Sequence, residues 1–529
     1  MTATAPETTA RRQGVAHLVH RSAARFPRRT ALVDGDVSWT FAELAEIVDR
    51  TATALDAAGL RRGERVALLA HNCWQYPVLV LAAARIGAVA VPLNFMLGPA
   101  EVRYILDDAD AVALVAEDAL LPVAQQALDG AGTVRTRAVL RLDPDTSGTA
   151  LPDGWVDVDT WTSHPEVAPP DVELEDDEPV RIMYTSGTES RPKGVVLSSR
   201  SLMWQYVSCV ATGGMEASDV EVHALPLYHC AQLDNFLMTD LYLGATSIVL
   251  RRPEPEAILA AVERHRATNL FCPPTVWIGL LASPAFATAD LGSLRKGYYG
   301  ASAMPLEMLD TLGERFPDLR LWNFYGQTEM ASLATALPPE EQRTHGGSAG
   351  YPALNVETRI VDPDGTPLPT GAVGEIVHRS PHLTLGYLNQ PAKTAEAFRG
   401  GWFHSGDLGY LDPDGRLYVV DRVKDMIKSG GENVASREVE EVLYRHPEVA
   451  EAAVFGVPDD HWIEAVTAAV VLRPDAEVTP DALRAHCRAV LAGFKTPRAV
   501  HVVSSLPKNP SGKILKRELR ESFTPARRS

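Results

Sequence analysis

The stretch from Val66 to Leu93 constrains this chain most: it is almost continuously apolar, yet His71, Asn72, Gln75 and Arg85 interrupt it. A membrane span needs about 20 residues with few such breaks, whereas a buried strand, helix and second strand place them at the joints. The first strand is read at Val66-Ala67-Leu68-Leu69-Ala70, the helix ends near Gly87, and the second strand runs from Ala88 to Val91. Just upstream, Thr40 and Glu43 form a capping box, each side chain satisfying an otherwise orphaned backbone N–H. Leu44, Ile47, Val48, Thr51 and Leu55 then recur at helical spacing until Gly59 supplies the stop. A third round places a helix near Glu101 and a strand from Ala111 to Val115. Short strands that are apolar throughout, alternating with helices, predict an α/β fold with helices on both faces of the sheet.

At 529 residues the chain is too long for a single core. The segment from Arg141 to Pro179 is rich in Asp, Pro, Gly and Thr and reads as a surface loop. Between Tyr351 and His378 the pattern turns strand-like, with a turn at Asp362-Pro363-Asp364-Gly365, which predicts a small β subdomain. Beyond Asp421 comes a small α+β unit. Ser436 is read as the cap of a helix carrying Val439, Val442 and Leu443, and strands follow at 452–457 and 466–472. Thr479 caps a helix with Pro480 at its first position and Leu483, Cys487, Val490 and Leu491 on one face, before a last strand at 499–503. The expected architecture is thus a large N-terminal domain of αβ subdomains plus a small β subdomain, residues 1–420, and a small α+β domain, residues 421–529.

Charge and cysteine content exclude several classes. Lys and Arg total 50 against 68 Asp and Glu, a net charge of −18, which disfavours nucleic-acid binding through phosphate neutralisation. Five scattered cysteines with no C-x-x-C pair argue against a zinc or disulfide framework and for a reducing compartment. The polar N-terminus carries no signal-peptide core, so a cytoplasmic protein without a transmembrane segment is expected.

Chemistry concentrates in five segments. Tyr184-Thr185-Ser186-Gly187-Thr188-Glu189-Ser190-Arg191-Pro192-Lys193-Gly194-Val195 leads an apolar strand into hydroxyls, glycines and a lysine. Small residues let backbone N–H groups approach a polyphosphate, and Lys193 adds a mobile charge. It is not a Walker A loop, because Lys193 precedes Gly194. Taken alone it could be a solvated turn. The others are Asn323-Phe324-Tyr325-Gly326-Gln327-Thr328-Glu329, Trp402-Phe403-His404-Ser405-Gly406-Asp407, the run from Asp421 to Asn433, and Pro507-Lys508-Asn509-Pro510-Ser511-Gly512-Lys513-Ile514.

In this order and spacing the segments resemble the acyl-adenylate-forming superfamily, from about Ala31 to Arg517. The resemblance implies activation of a carboxylic acid with MgATP to acyl-AMP, then transfer to a thiol. It implies that Thr185, Ser186, Gly187, Thr188 and Lys193 cradle the β- and γ-phosphates, that Glu329 binds magnesium, and that Thr328 bonds the α-phosphate. Tyr325, followed by Gly326, would stack on adenine, whose other edge meets Gly300, Ala301 and Ser302. Asp407 would take the ribose hydroxyls beside Arg422. Lys513 would bridge the substrate carboxylate and α-phosphate, an electrostatic role. His229 would line the carboxylate end of the acyl pocket; a buried histidine satisfied by backbone is the competing reading. Glu329 and Asp407 could likewise cap a helix or turn.

By the same resemblance the C-terminal domain is mobile, turning about a hinge at Asp421. It would present Lys428, Ser429, Gly430, Gly431 and Glu432 to the pantetheine arm of CoA, the glycine pair permitting close approach. Where relatives carry Thr-Gly this chain has Glu189-Ser190, which bears on ATP affinity: the acidic side chain either faces solvent, pairs with Arg191, or weakens ATP binding. The acyl pocket is expected to involve Trp204, Trp277 and Tyr299, apolar and roomy, with Asp234 holding an amino group, lying buried and hydrogen-bonded, or standing at the surface. The sequence therefore reads as an ATP-dependent synthetase for medium or long fatty acids, with CoA as acceptor. A ligase loading a carrier protein is the nearest alternative, an aryl-CoA ligase ranks third, and a non-catalytic acyl-AMP-binding relative is the reading from another class. A homodimer is left open.

Overall fold

The computed structural model describes residues 10, 13–130, 132–143, 150–170, 172–185, 191–300, 304, 306–422, 425–429, 432–459, 462–474, 476–508 and 514–524. Two large sheets with helices between and outside them form the N-terminal part. The eight-stranded sheet runs, in spatial order, Gly386–Tyr387, Lys193–Ser198, Pro179–Thr185, Val89–Leu93, Arg65–Leu69, Ala111–Glu117, Thr136–Leu140 and Val156–Asp157. All its pairings are parallel from Pro179–Thr185 onward, while the first two strands join antiparallel. The nine-stranded sheet has six neighbouring parallel strands, with Val37–Thr40 antiparallel at one edge and Ser332–Leu337 and Tyr351–Pro352 antiparallel at the other.

The apolar stretch resolves as expected into strand Arg65–Leu69, helix Gln75–Arg85 and strand Val89–Leu93. Period-two alternation splits the first strand: Val66 and Leu68 face a core shared by both sheets, whereas Ala67 and Leu69 face the outer helices. Helix Gln75–Arg85 is buried along nearly its whole length, which explains why it is apolar on all sides. The capping box at Thr40 and Glu43 is formed, and Leu44, Ile47, Val48, Thr51 and Leu55 are buried. The polar interruptions tie the sheets together. Asn72 Nδ2 donates to the carbonyls of Leu225 and Leu250, and its Oδ1 accepts from the Leu227 N–H. Glu117, fully buried, accepts from the His71 backbone and pairs with the His71 ring and Arg251.

A four-stranded antiparallel sheet of Glu357–Val361, Gly374–Arg379, Phe403–Leu411 and Leu417–Arg422 is the expected β subdomain. The C-terminal unit packs helices Ser436–Tyr444, Pro480–Val490 and Lys516–Phe523 on a separate sheet dominated by the paired strands Val449–Asp459 and Ile463–Leu472. The chain is therefore a large N-terminal α/β part followed by a small α+β part.

Three local readings are corrected. Part of the Arg141–Pro179 loop is ordered: strand Val156–Asp157 joins the sheet, and helix Val158–Thr162 follows, capped by the Asp157 carboxylate and anchored by buried Val158 and Trp161. Five residues are too short for a periodic signal. Ser436 is the first residue of its helix rather than the cap, and its N–H is taken by the Asp421 carboxylate at 2.6 Å. Val490, at the end of its helix, is 58% exposed, leaving Leu483 and Cys487 as the buried residues of that face.

Two buried histidines give the fold an acid limit. His378 Nδ1 lies 3.0 Å from Thr358 Oγ1, and His382 lies between Ser208 Oγ and the Leu333 carbonyl. Burial pushes their pKa values down to about 3 and about 4. Both are neutral in the folded protein near neutrality, whereas the unfolded rings take protons near pH 6.5. Below that pH the unfolded state binds more protons, so stability falls, by about 2 kcal/mol per histidine by about pH 5. The thermal unfolding midpoint should drop between about pH 7 and about pH 5, and drop less in His378→Gln; a pH-independent midpoint would contradict this.

Candidate active site

The nucleotide-end candidates gather at the carboxyl ends of parallel strands, the usual place for ligand sites in α/β sheets. Strand Lys296–Gly300 ends at Gly300 and the adjacent strand Arg320–Gln327 carries Tyr325 and Gly326 at its end. Two glycines are required by close approach. A Cβ on Gly300 would lie 2.5 Å from the Phe324 carbonyl oxygen, and one on Gly326 would lie 1.7 Å from that of Ser332. No side chain fits at either position, because neighbouring backbone fills the space.

Tyr325, Asp407 and Arg422 form one cluster. The Tyr325 hydroxyl donates to Asp407 Oδ2 at 2.6 Å, and Arg422 Nε lies 3.2 Å from Asp407 Oδ1. Cross-strand register does this, since Asp407 and Arg422 are direct partners in the β subdomain. Burial and the adjacent carboxylate push the Tyr325 pKa well up, so it stays a neutral donor. Asp407 is 6% exposed; it sits within a strand and caps no helix.

Glu329 stands one residue into the short helical turn Thr328–Met330. Its Oε1 accepts from the Tyr387 hydroxyl at 2.9 Å, and Lys193 Nζ lies 5.2 Å from the Tyr387 ring centroid. Tyr387 was not anticipated. The segment Thr384–Tyr387 staples the two sheets: the Thr384 N–H donates to the Glu329 carbonyl, its hydroxyl to the Val196 carbonyl, and Tyr387 pairs with Val195. The available signal was Gly386 between a hydroxyl-bearing turn and an aromatic residue. The second Glu329 oxygen makes no hydrogen bond among the described residues, leaving a hard oxygen of the kind that Mg2+ takes.

Thr328 in turn accepts from Cys230 Sγ at 3.4 Å, which brings His229, half-buried and adjacent in sequence, to the same place. Burial raises the Cys230 pKa to about 11, so it is a thiol donor at neutral pH. A π-helical segment, Ala231–Leu237, follows directly, a wide winding frequently found at functional sites. Thr185 and Lys193 are register partners across the hairpin that holds the phosphate-loop segment. Asp421 bridges the two parts of the chain, ending a β-subdomain strand while its carboxylate holds the first N–H of the C-terminal helix. Lys428 and Ser429 pair with Asn433 and Glu432 in a hairpin, with Lys428 and Glu432 exposed and Ser429 buried. Ser186, Gly187, Thr188, Glu189, Ser190, Ala301, Ser302, Gly430, Gly431 and Lys513 lie outside the described residues.

The four residues expected at the acyl pocket lie in different surroundings. Trp277 is core, 1% exposed, with its indole N–H on the Tyr298 carbonyl. Tyr299 packs in the same core and donates to Gln342. Alternation along the strand turns Tyr298 toward the opposite cluster with Phe236 and Phe324. Trp204 is 44% exposed. Asp234 is fully buried and ion-paired with Arg181, and the Tyr206 hydroxyl donates to the same oxygen; of its three expected readings, the buried hydrogen-bonded carboxylate is the one found.

Among the described residues no group of three or more His, Cys, Asp or Glu suits a metal ion, the five cysteines are free and buried, and no helix is long and apolar enough to cross a membrane.

A strand-end site of this kind on two sheets and a small C-terminal unit defines a nucleotide-binding α/β enzyme, and the comparisons name its family. The model of the AMP-binding enzyme family matches residues 19–388, and that of the AMP-binding enzyme C-terminal domain matches residues 438–513. The chain belongs to the AMP-binding enzyme family. It is 38% identical over 513 residues to a feruloyl-CoA synthase of an Amycolatopsis species, covering 97% of this chain and all of that one. It is 34% identical to the fatty acid–[acyl-carrier-protein] ligase ScoC of Streptomyces coeruleorubidus, covering 92% and 91%. Its fold superposes on ATP-bound MatB from Rhodopseudomonas palustris with a TM-score of 0.87 at 30% identity, over 97% and 99% of the two chains.

Proposed function

We propose that this chain, an AMP-forming acid–thiol ligase by family, activates a carboxylic acid with ATP and passes the acyl group to the thiol of CoA. The acid's carboxylate oxygen attacks the α-phosphorus and pyrophosphate leaves. The thiol then attacks the acyl carbon, and AMP leaves with that oxygen. Two clusters carry this reading: Tyr325, at the end of strand Arg320–Gln327, with Asp407 and Arg422, and Glu329, four residues further along the chain, with Tyr387 and Lys193. In it, Asp407 takes the ribose, Tyr325 the adenine, and Thr185, Ser186, Gly187, Thr188 and Lys193 the outer phosphates. Gly300, Ala301 and Ser302 border the base, Thr328 holds the α-phosphate and His229 the acid's carboxylate end. Glu329, oriented by Tyr387, would hold Mg2+, which supplies charge neutralisation on the phosphates.

The two parts divide at Asp421, with residues 421–529 moving between half-reactions to bring first Lys513 and then the 428–432 hairpin to the site. The acid is a medium or long aliphatic chain. An aryl-propenoic acid is a second reading, favoured by the full-length similarity to a feruloyl-CoA synthase.

The test is pyrophosphate release across hexanoate to palmitate, ferulate, cinnamate and amino acids, with and without CoA. Acid-dependent release with acyl-CoA formed only when CoA is present is expected. Release without acyl-CoA would move the acceptor to a carrier protein, and no release with any acid would overturn the reading.

A further inference from the structure

Far from the strand-end site in sequence, a cleft of about 400 Å3 opens between the N-terminal helix Leu18–Arg25 and the helix Ser199–Gly213. Its volume falls within the range of small-molecule sites. Arg21 and Arg25 line one side, and Val207, Val210, Tyr242 and Leu243 the other. In a chain with 68 acidic side chains against 50 basic ones, these two arginines have no carboxylate within ion-pairing distance among the described residues. The acidic group on the neighbouring helix, Asp49, is taken by His20 and Arg85.

Arg21 and Arg25 stand four residues apart on one helix, an arrangement in which like charges repel. Arg21 is half-buried; one terminal nitrogen reaches the Gly14 carbonyl and the Met203 sulfur, while its buried Nε has no partner. Burial without a counter-charge depresses its pKa. Partly desolvated cations are normally paired. A guanidinium fork matches a carboxylate in a bidentate manner, and the facing aliphatic wall matches an apolar body.

We propose that this cleft is a second, non-catalytic site for a small amphiphilic carboxylate, its anion on Arg21 and Arg25 and its apolar body on Val207, Val210 and Leu243. The same helix carries Tyr206 and Gln205, which bond Asp234 and Asn235 of the π-helical segment. Occupancy is thereby mechanically connected to the segment that follows His229.

Calorimetry with 1-octanesulfonate tests it, because a sulfonate offers the same headgroup charge and an apolar tail but forms no acyl-adenylate. Binding to the full-length protein should weaken at least about tenfold in Arg21→Gln/Arg25→Gln, and inorganic sulfate, lacking the tail, should bind more weakly than octanesulfonate. Val210→Glu, which puts a carboxylate in the cleft, should weaken binding equally and serves if the double variant does not fold. Both variants should keep acid-dependent pyrophosphate release at saturating substrate. No binding by the wild type, or equal affinity in the folded variants, would overturn the proposal.

Discussion

Replacing Asp234 by Asn should destabilise the N-terminal part by about 3–5 kcal/mol. Asp234 and Arg181 are 0% and 1% exposed and face each other in the core between the sheets. Asn keeps the volume and can still accept from Tyr206, but it leaves the Arg181 guanidinium charged and unpaired where water cannot reach it. The loss comes from that stranded charge, so Arg181→Met/Asp234→Leu should recover most of the stability, since a buried pair and a well-packed apolar pair differ little. Denaturant unfolding of Arg181→Met, Asp234→Leu and the double variant closes the cycle. A loss below about 1 kcal/mol in Asp234→Asn would show that the pair does not hold this core. An Asp234 that instead recognised an amino group would change acid selectivity while leaving stability alone.

The second large effect belongs to Lys513. Two anions, the attacking carboxylate and the α-phosphate, must come together as the acyl-adenylate forms, and a cation held between them lowers that barrier. Removing such a preorganised partner typically costs roughly 10²–10³ in rate. Lys513→Ala should therefore slow acid-dependent pyrophosphate release by roughly that factor with little change in the KM for ATP, because the ribose and adenine contacts proposed for Asp407 and Tyr325 do not involve it. Transfer from supplied acyl-AMP to CoA should survive, since that step does not pass through the same lysine. Measuring the two half-reactions separately checks both. An unchanged adenylation rate would remove Lys513 from the mechanism.

What could be read before the structure follows from how locally each feature is encoded. The Thr40–Glu43 box and the helix behind it depend on neighbours three or four residues apart and were legible. So were the strand–helix–strand of the apolar stretch and the glycines at 300 and 326. Tyr387 was not, because its partner Glu329 lies 58 residues away and only the staple through Thr384 brings them together. The Asp234–Arg181 pair, 53 residues apart, depends on which strand faces which helix. The resemblance puts Tyr299 at the acyl pocket, but the period-two turn of its strand sends it to the core shared with Trp277 of helix Pro274–Ala282 and Tyr298 to the opposite cluster, and that register cannot be read from composition.

The central claim is that the acid's own oxygen becomes bonded to the α-phosphorus of ATP. It is tested most directly by running the reaction with acid labelled with oxygen-18 in the carboxylate and weighing the nucleotide product. An acyl-adenylate route delivers one labelled oxygen to AMP and none to pyrophosphate. Label in inorganic phosphate together with ADP, or unlabelled AMP, would contradict the account.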